Sequence, residues 1–248
     1  MQSSKRGQRV ALAGLALQLA LVGLAIGLWL VTSSPVGLPA VWLLAAPLLP
    51  WVLTGLLFHC RYLKQREAEE MEELAARGTA PEGIFAGEGE VPPAAHRLEW
   101  MERYFVPTAT LLIAAYHLAV GIWMFYWVGG AEFRPTGATA PIFFAVGGAF
   151  AAFLFSRYAT GMAKVEAWSL LRAPGSYLFV NALVLILVVA TLALEHYGVV
   201  GFGRVAGYVL AALMVVVGFE LVLNFVLDLY RPRVPGVERR VGYDSRLL

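Results

Sequence analysis

Cysteine is nearly missing from this chain: Cys60 is the only one in 248 residues. An internal disulfide is therefore excluded, and so is a cysteine-rich metal site. Charge is scarce as well. Asp, Glu, Lys and Arg make up 15% of the residues, against about 25% in an average soluble domain. The sequence also lacks the spaced signatures of catalysis. It has no His-Glu-x-x-His, no Gly-x-Ser-x-Gly, no phosphate-binding loop and no intramembrane Ser–Lys or Asp–Asp pair. His59 stands beside Cys60, but no second ligand pair completes a zinc site, and His96 and His196 stand alone. The chain is therefore expected not to be an enzyme and to need no cofactor. Its net charge of +2 gives no basis for binding nucleic acid.

Apolar residues are plentiful, at 59% of the chain, against about 45–50% in soluble domains. Six runs approach or exceed the about 20 residues that a membrane-crossing helix needs. They lie at roughly 10–32, 39–58, 106–128, 138–156, 175–194 and 205–228. All are apolar on every face, without the alternation of a barrel strand. The expected fold class is all-α: a polytopic membrane protein with six transmembrane helices, and bilayer lipid as its first partner. The first run follows Lys5, Arg6 and Arg9, as a signal peptide would. Its apolar part spans residues 10–31, longer than the about 7–15 residues of a signal core, so it reads as a retained helix. Turns are marked by Ser33-Ser34-Pro35, by Gly129-Gly130 with Pro135, and by Gly198 to Gly203.

The spans divide the chain into a first transmembrane hairpin (1–58), a polar segment (59–105), a four-helix transmembrane region (106–228) and a basic tail (229–248). With the N-terminus inside, seventeen Lys and Arg fall on inside segments and only Arg134 and Arg204 fall outside. That asymmetry predicts that both termini lie on the cytoplasmic side of the membrane. In the polar segment, "RYLKQREAEEMEELAARG" predicts a charged helix continuing the second span, ended by Gly78. "GTAPEGIFAGEGEVPP" is a linker crowded with backbone breakers. "AAHRLEWMERYFVP" predicts an interfacial helix leading into the third span, and residues 156–175 predict another, joining spans four and five.

Polar side chains inside the spans raise the question of function. Glu220, Asn224 and Asp228 recur every fourth residue in the last span. Each step of four advances about 40°, so they share one stripe. Glu220 lies about 12 Å from the inner end of its helix, and Asn181, seven residues past Pro174, lies at about 10 Å. Matched depth predicts an intramembrane polar cluster of Asn181, Glu220, Asn224 and Asp228, in which Asn181 faces Glu220. Three readings of the stripe stay open: a hydrogen-bonding device between helices, a helix end drawn toward the interface, and a proton or ion pathway. The first is expected, because the remaining mid-span polar residues, Gln18 and His117, stand isolated in the sequence. Gly23-x-x-x-Gly27, Gly203-x-x-x-Gly207 and the small-residue patch at Ala145, Gly148, Ala149 and Ala152 allow close helix approach. They leave open whether it occurs within one chain or in a homo- or hetero-oligomer.

The tail reads "LDLYRPRVPGVERRVGYDSRLL". Tyr230-Arg231-Pro232-Arg233, Pro235-Gly236 and Asp244-Ser245-Arg246-Leu247-Leu248 resemble the segment preceding the SPFH (band 7) domain in multi-helix bacterial HflK-type protease modulators. The acidic helix, the "GIFAGEGE" linker and "HRLEWMERYFVP" are similar to such N-terminal membrane regions. The resemblance implies a non-catalytic membrane anchor and interaction module. It implies two partners, an SPFH family member and a membrane AAA protease. Such proteins hold the SPFH domain outside the cytoplasm, so an odd number of crossings must precede it. Six crossings end inside, which places a further crossing and that domain beyond Leu248, on a longer or a neighbouring product. Two other readings compete. One is a small transporter or channel using Glu220 and Asp228, and the other is a membrane scaffold unrelated to either.

Overall fold

A chain segment in lipid must satisfy its backbone hydrogen bonds internally, and long apolar runs do so as helices. The computed structural model describes residues 2–76, 100, 104–130, 139–165, 169–199 and 201–230. They form α1 (Gln2–Thr32), α2 (Gly37–Ala45), α3 (Leu48–Ala76), α4 (Val106–Gly130), α5 (Ala140–Val165), α6 (Arg172–His196) and α7 (Phe202–Tyr230). A short 3₁₀ turn, Ser169–Leu171, leads into α6. No strand occurs among the described residues. Six membrane-length apolar helices result, with α2 and α3 together making one of them, as in a multi-pass membrane protein. Pro107 and Pro141 are the second residues of α4 and α5, and Pro39 and Pro174 the third of α2 and α6. The missing N–H costs nothing in a first turn, where amides lack intrahelical partners.

Pro47 is different. It stands in the two-residue break between α2 and α3, so Leu43 has no N–H four residues on to receive. The second span, expected as one helix over 39–58, is therefore two helices meeting at Ala46–Pro47. Beyond the break α3 runs unbroken from Leu48 to Ala76, so the charged extension of this span is helical as expected. Arg66 Nε and Glu70 Oε1 pair at 2.6 Å on its exposed surface. The reading of 156–175 as a separate surface helix is corrected. Ser156–Val165 are the last turns of α5, and Arg172–Gly175 are the first turn of α6. Ala159 and Ala163 are buried, and Gly175 comes close to Ala159 and Thr160, so these turns belong to the bundle. Gly78, the 78–93 linker, most of the interfacial helix before α4, and Pro135 lie outside the described residues.

Two helix pairs dominate the packing, α4 with α7 and α5 with α6, while α1 lies along α2 and α3. One apolar core joins residues from Val10 of α1 to Met214 of α7, so the first hairpin and the four later spans form a single bundle. Small residues set the approach. A Cβ on Gly121 would stand 2.8 Å from Val215 Cγ2, and one on Gly218 would stand 2.8 Å from Leu118 Cγ. Gly207 faces Val128 and the Pro35 carbonyl at 3.1–3.3 Å, and Gly14 lies under the Trp51 ring. Gly203-x-x-x-Gly207 is thus used within the chain. Gly23 and Gly27 are not: both are exposed, and no other described residue stands within 4 Å of where their Cβ atoms would be.

The turns have the required geometry. Ser33 takes a positive φ of 49°, and Gly198 and Gly201 take 83° and 94°. At the opposite end of α1, Lys5 Nζ sits 5.2 Å from the Tyr62 ring centroid, and Gln8 Nε2 is 3.4 Å from His59 Nδ1. The basic start of α1 and the polar exit of α3 therefore share one end of the bundle.

Candidate functional site: a buried polar centre

The break in the second span leaves backbone carbonyls midway through the bundle. Gln18, halfway along α1, donates its amide N–H to the Leu44 carbonyl in the last turn of α2. With that N–H turned to Leu44, its Oε1 faces the other way and accepts from Asn181 Nδ2 of α6 at 2.9 Å. Both side chains are buried, at 0% and 1% exposure. The orientation of both amides follows from one fact: a backbone carbonyl can only accept.

His117 of α4 is equally buried, and its Nδ1 is 2.7 Å from the Ile113 carbonyl. Next to it, Tyr116 Oη donates to the Trp42 carbonyl of α2 at 2.8 Å. His117 and Asn181 border a cavity of about 40 Å³ with Leu43, Ala46 and Pro47 of the break, walled further by Tyr177, Val180, Leu213 and Val217. The polar centre thus draws on α1, α2, α4 and α6, where the second span is interrupted.

This arrangement corrects the expected pairing. Asn181 bonds Gln18, not Glu220. Glu220 is exposed and Asn224 half-buried. Asp228 lies in the last turns of α7, with its side chain outside the described residues, as are Arg231, Pro232, Arg233, Asp244, Ser245, Arg246, Leu247 and Leu248. The reason is helical phase. The buried line of α7 runs through Gly207, Ala211, Met214, Gly218 and Leu221. Glu220 is one residue, or about 100°, off Leu221. Moreover, α7 packs chiefly on α4, with α6 a lesser neighbour.

Gln18 and His117, which stand isolated in the sequence, are thus brought into the polar centre. A signal for Gln18 was present. It lies nine residues past Arg9, a depth close to that of Asn181 below Pro174. The Pro47–Pro50 pair signalled the break.

A second polar contact closes the other end of the bundle. Ser34 Oγ donates to Glu195 Oε1 at 3.2 Å, beside Gly203 at the start of α7. The amides of the polar centre do not titrate. Among the described residues, no three His, Cys, Asp or Glu side chains converge as a metal ion would require. No protein-family model matches this chain, and no curated protein matches it either.

Proposed function

We propose that the chain is a non-catalytic membrane anchor and interaction module of a bacterial inner membrane, with both termini and residues 59–105 cytoplasmic. The observation that carries this reading is how the mid-bundle polar groups are used. Gln18, Asn181 and the Leu44 carbonyl bond one another across three helices, tying the bundle together. The adjoining cavity, at about 40 Å³, has room for water but not for a solute of several heavy atoms. The acidic side chain of the last span, Glu220, is exposed on the outside of the bundle. The basic asymmetry supports the orientation. The resemblance of the tail to HflK-type proteins supports an SPFH partner and a membrane AAA protease. Gly23 and Gly27 supply a small-residue face that no other described residue of this chain occupies, suited to a second transmembrane helix.

Reporter fusions at Leu248 and near Gly83 are expected to read cytoplasmic, and an external signal at either site refutes the orientation. An SPFH domain encoded in frame or next to this chain, together with its co-purification, supports the partner assignment. Failure of such a protein to bind the intact chain refutes it.

One observation favours a second reading, a small transporter. Interrupted helices with buried polar groups near the bilayer midplane are how many transporters build ion sites. Flux in proteoliposomes that depends on His117 and Gln18 would establish it.

A further inference from the structure

We propose that the cavity at the α2–α3 break is a built hydration site, holding one or two waters that hydrogen-bond His117 Nε2 and Asn181 Oδ1. Hydrogen-bond direction fixes which atoms lack a partner. The Ile113 carbonyl can only accept, so His117 Nδ1, 2.7 Å away, carries the ring proton. Nε2 is then a bare acceptor, and that single bond is the only one His117 makes to the described residues. Asn181 spends one amide N–H on Gln18 Oε1, and its Oδ1 meets no donor among the described residues. Both residues are 1% exposed, and both border the same cavity. Two acceptors with no donor between them call for a small molecule with two hydrogens to give. Water fits that description. The volume of about 40 Å³ exceeds the about 10–15 Å³ that one water requires.

The alternative is a dry cavity. Leu43, Leu213 and Val217 make much of the wall apolar, and purely apolar cavities do stay dry. Here the two unpaired acceptors change the balance, because buried polar groups without partners are costly and a bridging water removes that cost. With water in place, one chain of hydrogen bonds runs from the Leu44 carbonyl through Gln18, Asn181 and water to His117 and the Ile113 carbonyl. It would link α1, α2, α4 and α6.

The test uses the full chain in lipid nanodiscs. Magnetisation transfer from water to the His117 ring is measured by NMR, with His117→Phe to assign the signal among the four histidines. Val217→Leu is then made. It fills the cavity while leaving both polar side chains in place. Hydration predicts a water contact at His117 that is lost in V217L, together with a lower unfolding midpoint, because both acceptors are stripped of their donor. A dry cavity predicts no water contact and a higher midpoint from better packing. Either of those two results overturns the proposal. Should V217L fail to fold, the water contact in the unsubstituted protein still decides, and its absence is sufficient refutation.

Discussion

Substituting Gly121 by alanine tests whether the α4–α7 contact is as close as the structure has it. The added Cβ would stand 2.8 Å from Val215 Cγ2, 3.1 Å from Met214 Cβ and 3.1 Å from the Ala211 carbonyl oxygen. Optimal contact between such carbons is about 3.5–4.0 Å. The valine can turn, but the carbonyl belongs to the α7 backbone and moves only with the helix. Overpacking of this kind costs about 1–3 kcal/mol. Alanine recovers up to about 1 kcal/mol through helix propensity, so a net loss of about 1–2 kcal/mol is expected. Gly23→Ala is the matched control. Nothing lies within 4 Å of its Cβ position, so only propensity acts and the change is neutral to about 1 kcal/mol stabilising. Unfolding of the monomeric protein in bicelles, followed by steric trapping, separates the two. Equal stability of G121A and G23A would refute the close α4–α7 packing.

Two further outcomes follow from single positions. Ser33 holds a φ of 49°, which costs a residue bearing a Cβ about 1–2 kcal/mol. Ser33→Gly should therefore raise stability by about 1 kcal/mol, and a loss in the same unfolding assay would contradict the turn geometry. Glu220 is exposed on the outer face of α7, where an ionised side chain is unfavourable in lipid. Glu220→Leu should leave stability unchanged or higher in nanodiscs, and a loss beyond about 1 kcal/mol would restore a bonded role for this carboxylate.

The spans were legible because crossing a bilayer demands length and apolarity, and the sequence states both directly. The turns at Ser33–Pro35 and Gly198–Gly203 were legible for a local reason, since breakers there punctuate long runs. Lateral neighbours were harder to read. Depth arithmetic paired Glu220 with Asn181, although Gln18 lies at a similar depth. The choice was made by azimuth: Gly207, Ala211, Gly218 and Leu221 turn one side of α7 inward, and Glu220 falls beside that line. Pro47 and Pro50 mark the break at Ala46–Pro47, but the hydropathy of the run reads as one helix. The length of α5 was missed because Arg157 and Lys164 read as a surface helix, although Ala159 and Ala163 between them carry the packing face.

The central claim is that Gln18 and Asn181 tie helices together and do not serve a passage. A double-mutant cycle measures it directly. Gln18→Leu, Asn181→Leu and the pair are compared for unfolding free energy in bicelles, with liposome flux recorded on the same preparations. The account predicts a coupling of about 0.6 kcal/mol, up to about 1.7, the range of intramembrane hydrogen-bonded pairs. Each single substitution is expected to destabilise, since Asn181→Leu strips Gln18 Oε1 of its donor and Gln18→Leu strips Asn181 Nδ2 of its acceptor, with no flux in any variant. Additive single effects, or a proton or cation flux that the substitutions abolish without loss of stability, would contradict it.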